Sequence, residues 1–170
     1  MAIDDSPFTF SELANRILPR RMQAMRQAMR RPFSMTLFGT RGMGPKTILR
    51  RLGRDRDFPG CYVLICRGKA IYVGISRGVI ARLRQHVRGR THFDASLAYR
   101  MASRVYRHRL RRRAAMRHRR FKEAFDRAQE RLRSMKVAFI EIRSDLELYL
   151  FEAFCAMTLD THRWNTFRTH

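Results

Sequence analysis

Two carboxylates interrupt an otherwise apolar helical run near the end of this 170-residue chain, and they call for different explanations. Leu146, Leu148, Tyr149, Leu150, Phe151, Ala153, Phe154, Cys155, Ala156, Met157 and Leu159 are apolar nearly all the way round, as in a buried helix. Glu147 lies three residues after Ser144, so it can serve as the reciprocal partner in a capping box. Glu152 falls mid-helix, and five residues of α-helix turn it about 140° away from Glu147. An unpartnered buried carboxylate is costly, so Glu152 must meet an arginine, a metal ion or water in a cleft. A structural ion pair is one reading, and a catalytic or metal-binding acid is the other.

Other candidate groups are scattered. Tyr62 and Tyr72 sit in strand-like segments and on physical grounds alone read as ordinary strand aromatics. Arg82 and His86 are one helical turn apart. Gly39, Gly42, Gly44, Lys46 and Thr47 suggest a phosphate-binding loop, but Pro45 separates Gly44 from Lys46, so the spacing is not met and a loop with a helix start is expected instead. Cys61, Cys66 and Cys155 form no Cys-x-x-Cys pair and are odd in number, which argues against a disulfide framework and a structural zinc site and fits a reduced, cytoplasmic chain. The acidic start, residues 1–5, lacks the basic and then apolar character of a secretory signal.

The elements that must position these groups can be read from periodicity. Thr9 and Glu12 have capping-box spacing, and Leu13, Ile17, Leu18, Met22, Met25 and Met29 follow at helical intervals, with Pro19 expected to kink the helix and Pro32 to close it. The methionine stripe reads as packing surface. A short helix is expected over residues 45–52. Residues 60–66 and 70–75 read as a hairpin turning at Arg67-Gly68-Lys69, with Gly68 supplying positive φ. A short helix carries Arg82 to His86. A third strand is expected over 136–143 and a helix from near Ser144. The fold class is therefore α+β: a small three-stranded, mainly antiparallel sheet flanked by helices. An N-terminal helical extension is expected over residues 1–57 and a domain over 58–170, with a basic helical insertion at about 95–135.

Charge points to a polyanion. Lys plus Arg number 37 against 14 Asp plus Glu, a net +23, and 33 of the basic residues are arginine. Guanidinium can give phosphate two parallel hydrogen bonds while staying charged, so a nucleic-acid partner is expected. The 45% hydrophobic content excludes a charge-only disordered chain. No apolar run approaches the roughly 18 residues of a membrane span, and no Trp- or Phe-rich face suits a membrane surface. Residues 100–136 hold 15 basic residues against Glu123, Asp126 and Glu130. Val105, Leu110, Ala114, Met116, Phe121, Phe125, Ala128 and Leu132 give that segment an apolar side, which leaves its arginines to track phosphates.

Gly60-Cys61-Tyr62, Tyr72-Val73-Gly74, Arg82, His86, Glu152 and Asn165 stand in the order and near the spacing of the GIY-YIG endonuclease superfamily, which the chain resembles over residues 58–167. Cys61 replaces the middle residue of the first motif and Val73 that of the second. Arg82 falls ten residues after Tyr72 and His86 four later, where that family carries an arginine and often a histidine. The departures are Cys61, the basic insertion and the N-terminal extension.

The resemblance implies a metal-dependent endonuclease hydrolysing phosphodiester bonds in DNA. Glu152 would hold Mg²⁺ or Mn²⁺, and Arg82 would clamp the phosphate. Tyr62 would act as general base, with its pKa lowered from about 10, or hold the nucleophilic water, and Tyr72 would support it. His86 would relay a proton or touch phosphate. Gly60, Gly74 and Asn165 would be structural, Asn165 orienting the helix end or Glu152. Arg82, Arg84, Arg107, Arg111, Arg112, Arg113, Arg119 and Arg120 are the expected nucleic-acid contacts. The alternative is a non-catalytic basic nucleic-acid-binding protein on a degenerate form of the same fold.

Overall fold

The computed structural model describes residues 3–107 and 109–167. The chain divides into two compact units that interleave along the sequence. A sheet unit comprises Met1–Phe33, Asp57–Val79 and Lys136–His170, and a helical unit comprises Ser34–Arg56 and Ile80–Met135. This division differs from the expected boundary at residue 57. The N-terminal helix belongs to the sheet unit because its apolar stripe has the sheet to cover.

In the sheet unit the Thr9–Glu12 capping box forms, with the Glu12 amide donating to Thr9 Oγ1 and the Thr9 amide to Glu12 Oε2. It opens α1 (Phe10–Glu12), which runs through a π-helical segment, Leu13–Ile17, into α2 (Leu18–Arg30). Pro19 occupies the first turn of α2, where its missing N–H matters least, and the wide turn just before it absorbs the ring. Met22 and Met25 bury against Cys61, Val63, Val73, Phe151 and Cys155, so the methionine stripe is core.

The sheet has four antiparallel strands, not three: β1 (Phe33–Ser34), β2 (Gly60–Cys66), β3 (Lys69–Ser76) and β4 (Lys136–Glu141), in the order β1-β4-β2-β3. β1 is only two residues long, too short to leave a period, and it announces itself through Phe33 stacked on Phe139 at 5.2 Å. The β2–β3 hairpin turns on Arg67 (φ 50°) and Gly68 (φ 77°), the paired positive φ values of a tight two-residue turn. Gly60 lies so close to the Ile140 carbonyl that a Cβ there would overlap it.

In the helical unit, α3 (Thr36–Gly39) and α4 (Pro45–Arg51) precede α5 (Val79–Arg88), whose first residue belongs to the sheet unit; α6 (Ser96–Val105), α7 (Arg112–Arg117) and α8 (Arg119–Arg133) follow. α4 begins at Pro45 with Gly44 as its cap, so the glycine-rich stretch is a loop and helix start as expected. The 100–136 segment is not one helix: the chain is extended at Arg111 and at His118. Around the break at Arg111, Arg107 and Arg111 and likewise Arg109 and Arg113 fall four residues apart with no acid near them, and like charges at that spacing oppose helix. α8 instead pairs Arg119 with Glu123 and Lys122 with Asp126, and it runs for 15 residues. Phe121, Phe125, Ala128 and Leu132 are buried as expected, whereas Val105 and Leu110 are exposed.

In the sheet unit again, α9 (Asp145–Thr158) starts at Ser144, whose hydroxyl accepts from the Glu147 amide. The Glu147 carboxylate goes elsewhere than a capping box. Arg21 of α2 donates to it through Nε and a terminal nitrogen at 3.1 and 2.9 Å, joining two helices across the core. Among the described residues no helix is long and apolar enough to cross a membrane.

Candidate functional site

β2 and β3 set Tyr62 and Gly74 directly opposite one another, and the tyrosine ring lies over the bare glycine backbone. A Cβ at Gly74 would run into the Tyr62 ring and hydroxyl, so packing holds this position to glycine. Tyr72, two residues earlier on the same face, has its ring centroid 6.2 Å from that of Tyr62, tilted by 57°. The pair is unequally exposed: Tyr62 is 1% exposed and Tyr72 is half-buried.

Asn165 joins this hairpin from far along the chain. The Val73 amide donates to its Oδ1 at 2.9 Å, and its Nδ2 donates to the Val73 carbonyl at 2.8 Å. β3 is the outer strand, and the carboxamide takes the place that a neighbouring strand's peptide would fill. The buried Thr161 hydroxyl donates to Oδ1 at 2.9 Å, which orients the amide. Asn165 thus braces the strand that carries Tyr72, whereas the sequence suggested that it orients the helix end or Glu152.

Glu152 projects from the middle of α9, half-buried. α9 packs on the sheet face carrying Cys61, Val63 and Val73, and strand alternation puts Tyr62 and Gly74 on the other. The acid therefore approaches the hairpin from the face opposite the tyrosines. Its charge is felt by the Cys61 thiol, whose pKa is pushed well up by burial first, then by the adjacent Cys155, then by Glu152. Neither this thiol pair nor the Arg21–Glu147 bond carries a sequence signal, because each joins distant segments. All three cysteines are free.

Arg82 and His86 belong to the helical unit. Arg82 Nη1 donates to the Asp94 carbonyl at 2.8 Å and to Gln85 Oε1 at 3.0 Å, and Nη2 donates to Ser96 Oγ at 2.9 Å, so this guanidinium ties α5 to the loop entering α6. His86 is fully buried. Burial, helped by the charges of Arg82 and Arg100, lowers its pKa to about 3. This corrects the expected proton relay: the imidazole is neutral throughout the physiological range.

The basic contacts divide. Arg84 is half-buried and donates to the Met43 carbonyl, with burial and then Arg88 lowering its pKa, so part of its guanidinium is engaged within its own unit. Arg107, Arg111, Arg112, Arg113, Arg119 and Arg120 are all exposed. Among the described residues no group of three or more His, Cys, Asp and Glu gathers as a metal cage.

Compared with protein-family models, curated proteins and solved structures, the chain matches none.

Proposed function

We propose that the chain is a divalent-metal-dependent endonuclease acting on DNA, with its chemistry in the sheet unit and a GIY-YIG-like β-hairpin at its centre. The observation that carries this reading is the hairpin. Tyr62 rests over Gly74, Tyr72 lies beside it, and Asn165 is hydrogen-bonded into the same strand 92 residues further on. Those four residues are motif positions of the resemblance; hairpin register places Tyr62, Gly74 and Tyr72 together, and Asn165 is the member that arrives from a distant segment.

A phosphodiester resists hydrolysis because its charge repels the nucleophile, so a nuclease must neutralise charge and position water. Mg²⁺ suits the donors present: it is commonly held by one or two carboxylates together with substrate phosphate, and Glu152 supplies one hard oxygen donor. When bound, such a cation neutralises phosphate charge and makes water a better nucleophile. Tyr72 has the more open surface of the pair, so we assign it the hydroxyl that faces the substrate and Tyr62 the supporting role, the reverse of the order suggested by the resemblance. Because Glu152 lies toward the other face of the hairpin, the acid and its cation are required to meet the substrate around the β3 edge. Asn165 keeps β3 in register beneath them. The role of Arg82 as phosphate clamp rests on its place in the sequence alone.

A second reading, a non-catalytic nucleic-acid-binding protein, is favoured by one observation: the Arg82 guanidinium already holds three oxygen acceptors of its own unit. Incubation with plasmid and branched DNA, with Mg²⁺ or EDTA, separates the two. The proposal expects metal-dependent cutting that Glu152→Gln and Tyr72→Phe remove, and the second reading expects binding with no cutting of any substrate.

A further inference from the structure

The helical unit contains an unbroken run of aromatic rings. Phe93 and His92 lie 4.0 Å apart between centroids, His92 and Tyr99 5.8 Å, Tyr99 and Phe121 5.1 Å, Phe121 and Tyr106 6.4 Å, and Tyr106 and His118 5.4 Å. Phe121 is fully buried in the middle, while the run surfaces at both ends. Phe93 is 73% exposed, and His118 is exposed and stacked on Tyr106 with only 26° between the planes.

The exposed phenylalanine is displayed on a built loop. Thr91 Oγ1 donates to Asp94 Oδ2 at 2.7 Å and accepts from the Asp94 amide, and Arg82 holds the Asp94 carbonyl and Ser96 Oγ from below. A large apolar ring on so ordered a turn has no core to fill. Its surroundings are basic: the unit holds 24 Lys and Arg against 5 Asp and Glu, a net +19. Arg90 precedes it on the turn, and Arg107, Arg117 and Arg119 flank Tyr106 and His118 in sequence.

Exposed flat rings in so basic a unit fit one partner chemistry. Bases inside a duplex show their faces only to each other, whereas unpaired bases offer theirs to an aromatic side chain. We propose that the helical unit is a platform for single-stranded DNA, with bases stacking on Phe93 at one end and on the Tyr106–His118 pair at the other while exposed arginines neutralise the phosphates. The choice of DNA rests on the function proposed above. The substrate of the full chain is then DNA with an unpaired segment.

The test is fluorescence anisotropy of the full-length protein in EDTA with a labelled single strand, its duplex and the matching RNA strand. The wild type is expected to bind the DNA strand more tightly than the duplex. Phe93→Ala should weaken single-strand binding by about 5- to 100-fold and leave duplex binding within about twofold. Phe93→Trp should retain affinity, and its added emission should be quenched on binding. Arg112→Ala with Arg113→Ala should weaken both forms and flatten the salt dependence. Duplex preference, RNA preference, or an equal response of both DNA forms to Phe93→Ala would overturn the platform. Loss of the nuclease reading would show separately, as binding of the single strand without cutting when Mg²⁺ is restored.

Discussion

The two units of this chain handle charge in opposite ways. The sheet unit carries 13 basic residues against 9 acidic, a net +4, whereas the helical unit carries 24 against 5. In the sheet unit, Arg21 is matched to Glu147 at the core and Arg77 to Asp145. In the helical unit, the arginines of α7 and the loop before it stand exposed without acids at helical spacing, and the chain there breaks out of helix twice. Self-repulsion of that size costs stability unless counter-charge is bound, which is why the proposed reading puts the polyanion here. Glu152, the acid assigned to the proposed chemistry, belongs to the near-neutral unit. On the proposed reading, the helical unit attracts the nucleic acid and the sheet unit carries the reaction.

The sharpest way to break this division is to remove the acid alone. Glu152→Gln should lower cleavage by about 10³-fold while DNA affinity stays within a few-fold, measured by gel assay and anisotropy on the same preparation. Next in size, replacing Arg111, Arg112 and Arg113 together by alanine should leave the melting temperature almost unchanged. Affinity should fall by about 10- to 100-fold, and the salt slope should drop by roughly 2–3. An unchanged slope would mean that these arginines meet no phosphate.

Stability probes sharpen the comparison further. Gly74→Ala forces a Cβ into the Tyr62 ring and should cost about 1–3 kcal/mol in denaturant unfolding, with cleavage suffering more than binding. Asn165→Ala removes both bonds to Val73 and should cost a similar ~1–3 kcal/mol. His86 supplies the counterpart in the helical unit. Its folded pKa of about 3 lies below the ordinary histidine value, so the unfolded chain takes up a proton that the folded unit refuses. Stability from this group is complete above about pH 6.5 and is lost as pH falls from there toward 3, by up to about 1.4 kcal/mol per pH unit. A His86→Gln variant, compared with wild type across that range, should show the shallower loss.

Local features of the fold were legible in the sequence where one short segment determines them. The Thr9–Glu12 box, the Arg67-Gly68 turn, the start of α4 at Pro45 and the helix opening at Ser144 each depend on residues within a few positions. The methionine stripe was legible because a helical period has only one apolar side. What escaped depends on distant partners. β1 is too short to show alternation, and the Glu147 carboxylate is claimed by Arg21, 126 residues away. His86 looked like a proton carrier because its type alone implies a near-neutral pKa, and only the walls around it reverse that. Arg84 looked like any other arginine until Met43 took its hydrogen bond. Of the candidate site, the two tyrosines and Gly74 were legible as one hairpin, and the strand register explains why residue 74 has no side chain, whereas the Asn165 bonds to Val73 join segments 92 residues apart and left no local pattern.

The most direct test of the proposed division of labour, reaction in the sheet unit and attraction in the helical unit, is one titration. Wild type and Glu152→Gln would be followed on branched DNA carrying an unpaired segment, with binding read in EDTA and cutting read after Mg²⁺ is added. The account predicts equal binding by both proteins and cutting by the wild type alone. Binding without cutting by the wild type, or equal cutting by both, would contradict it.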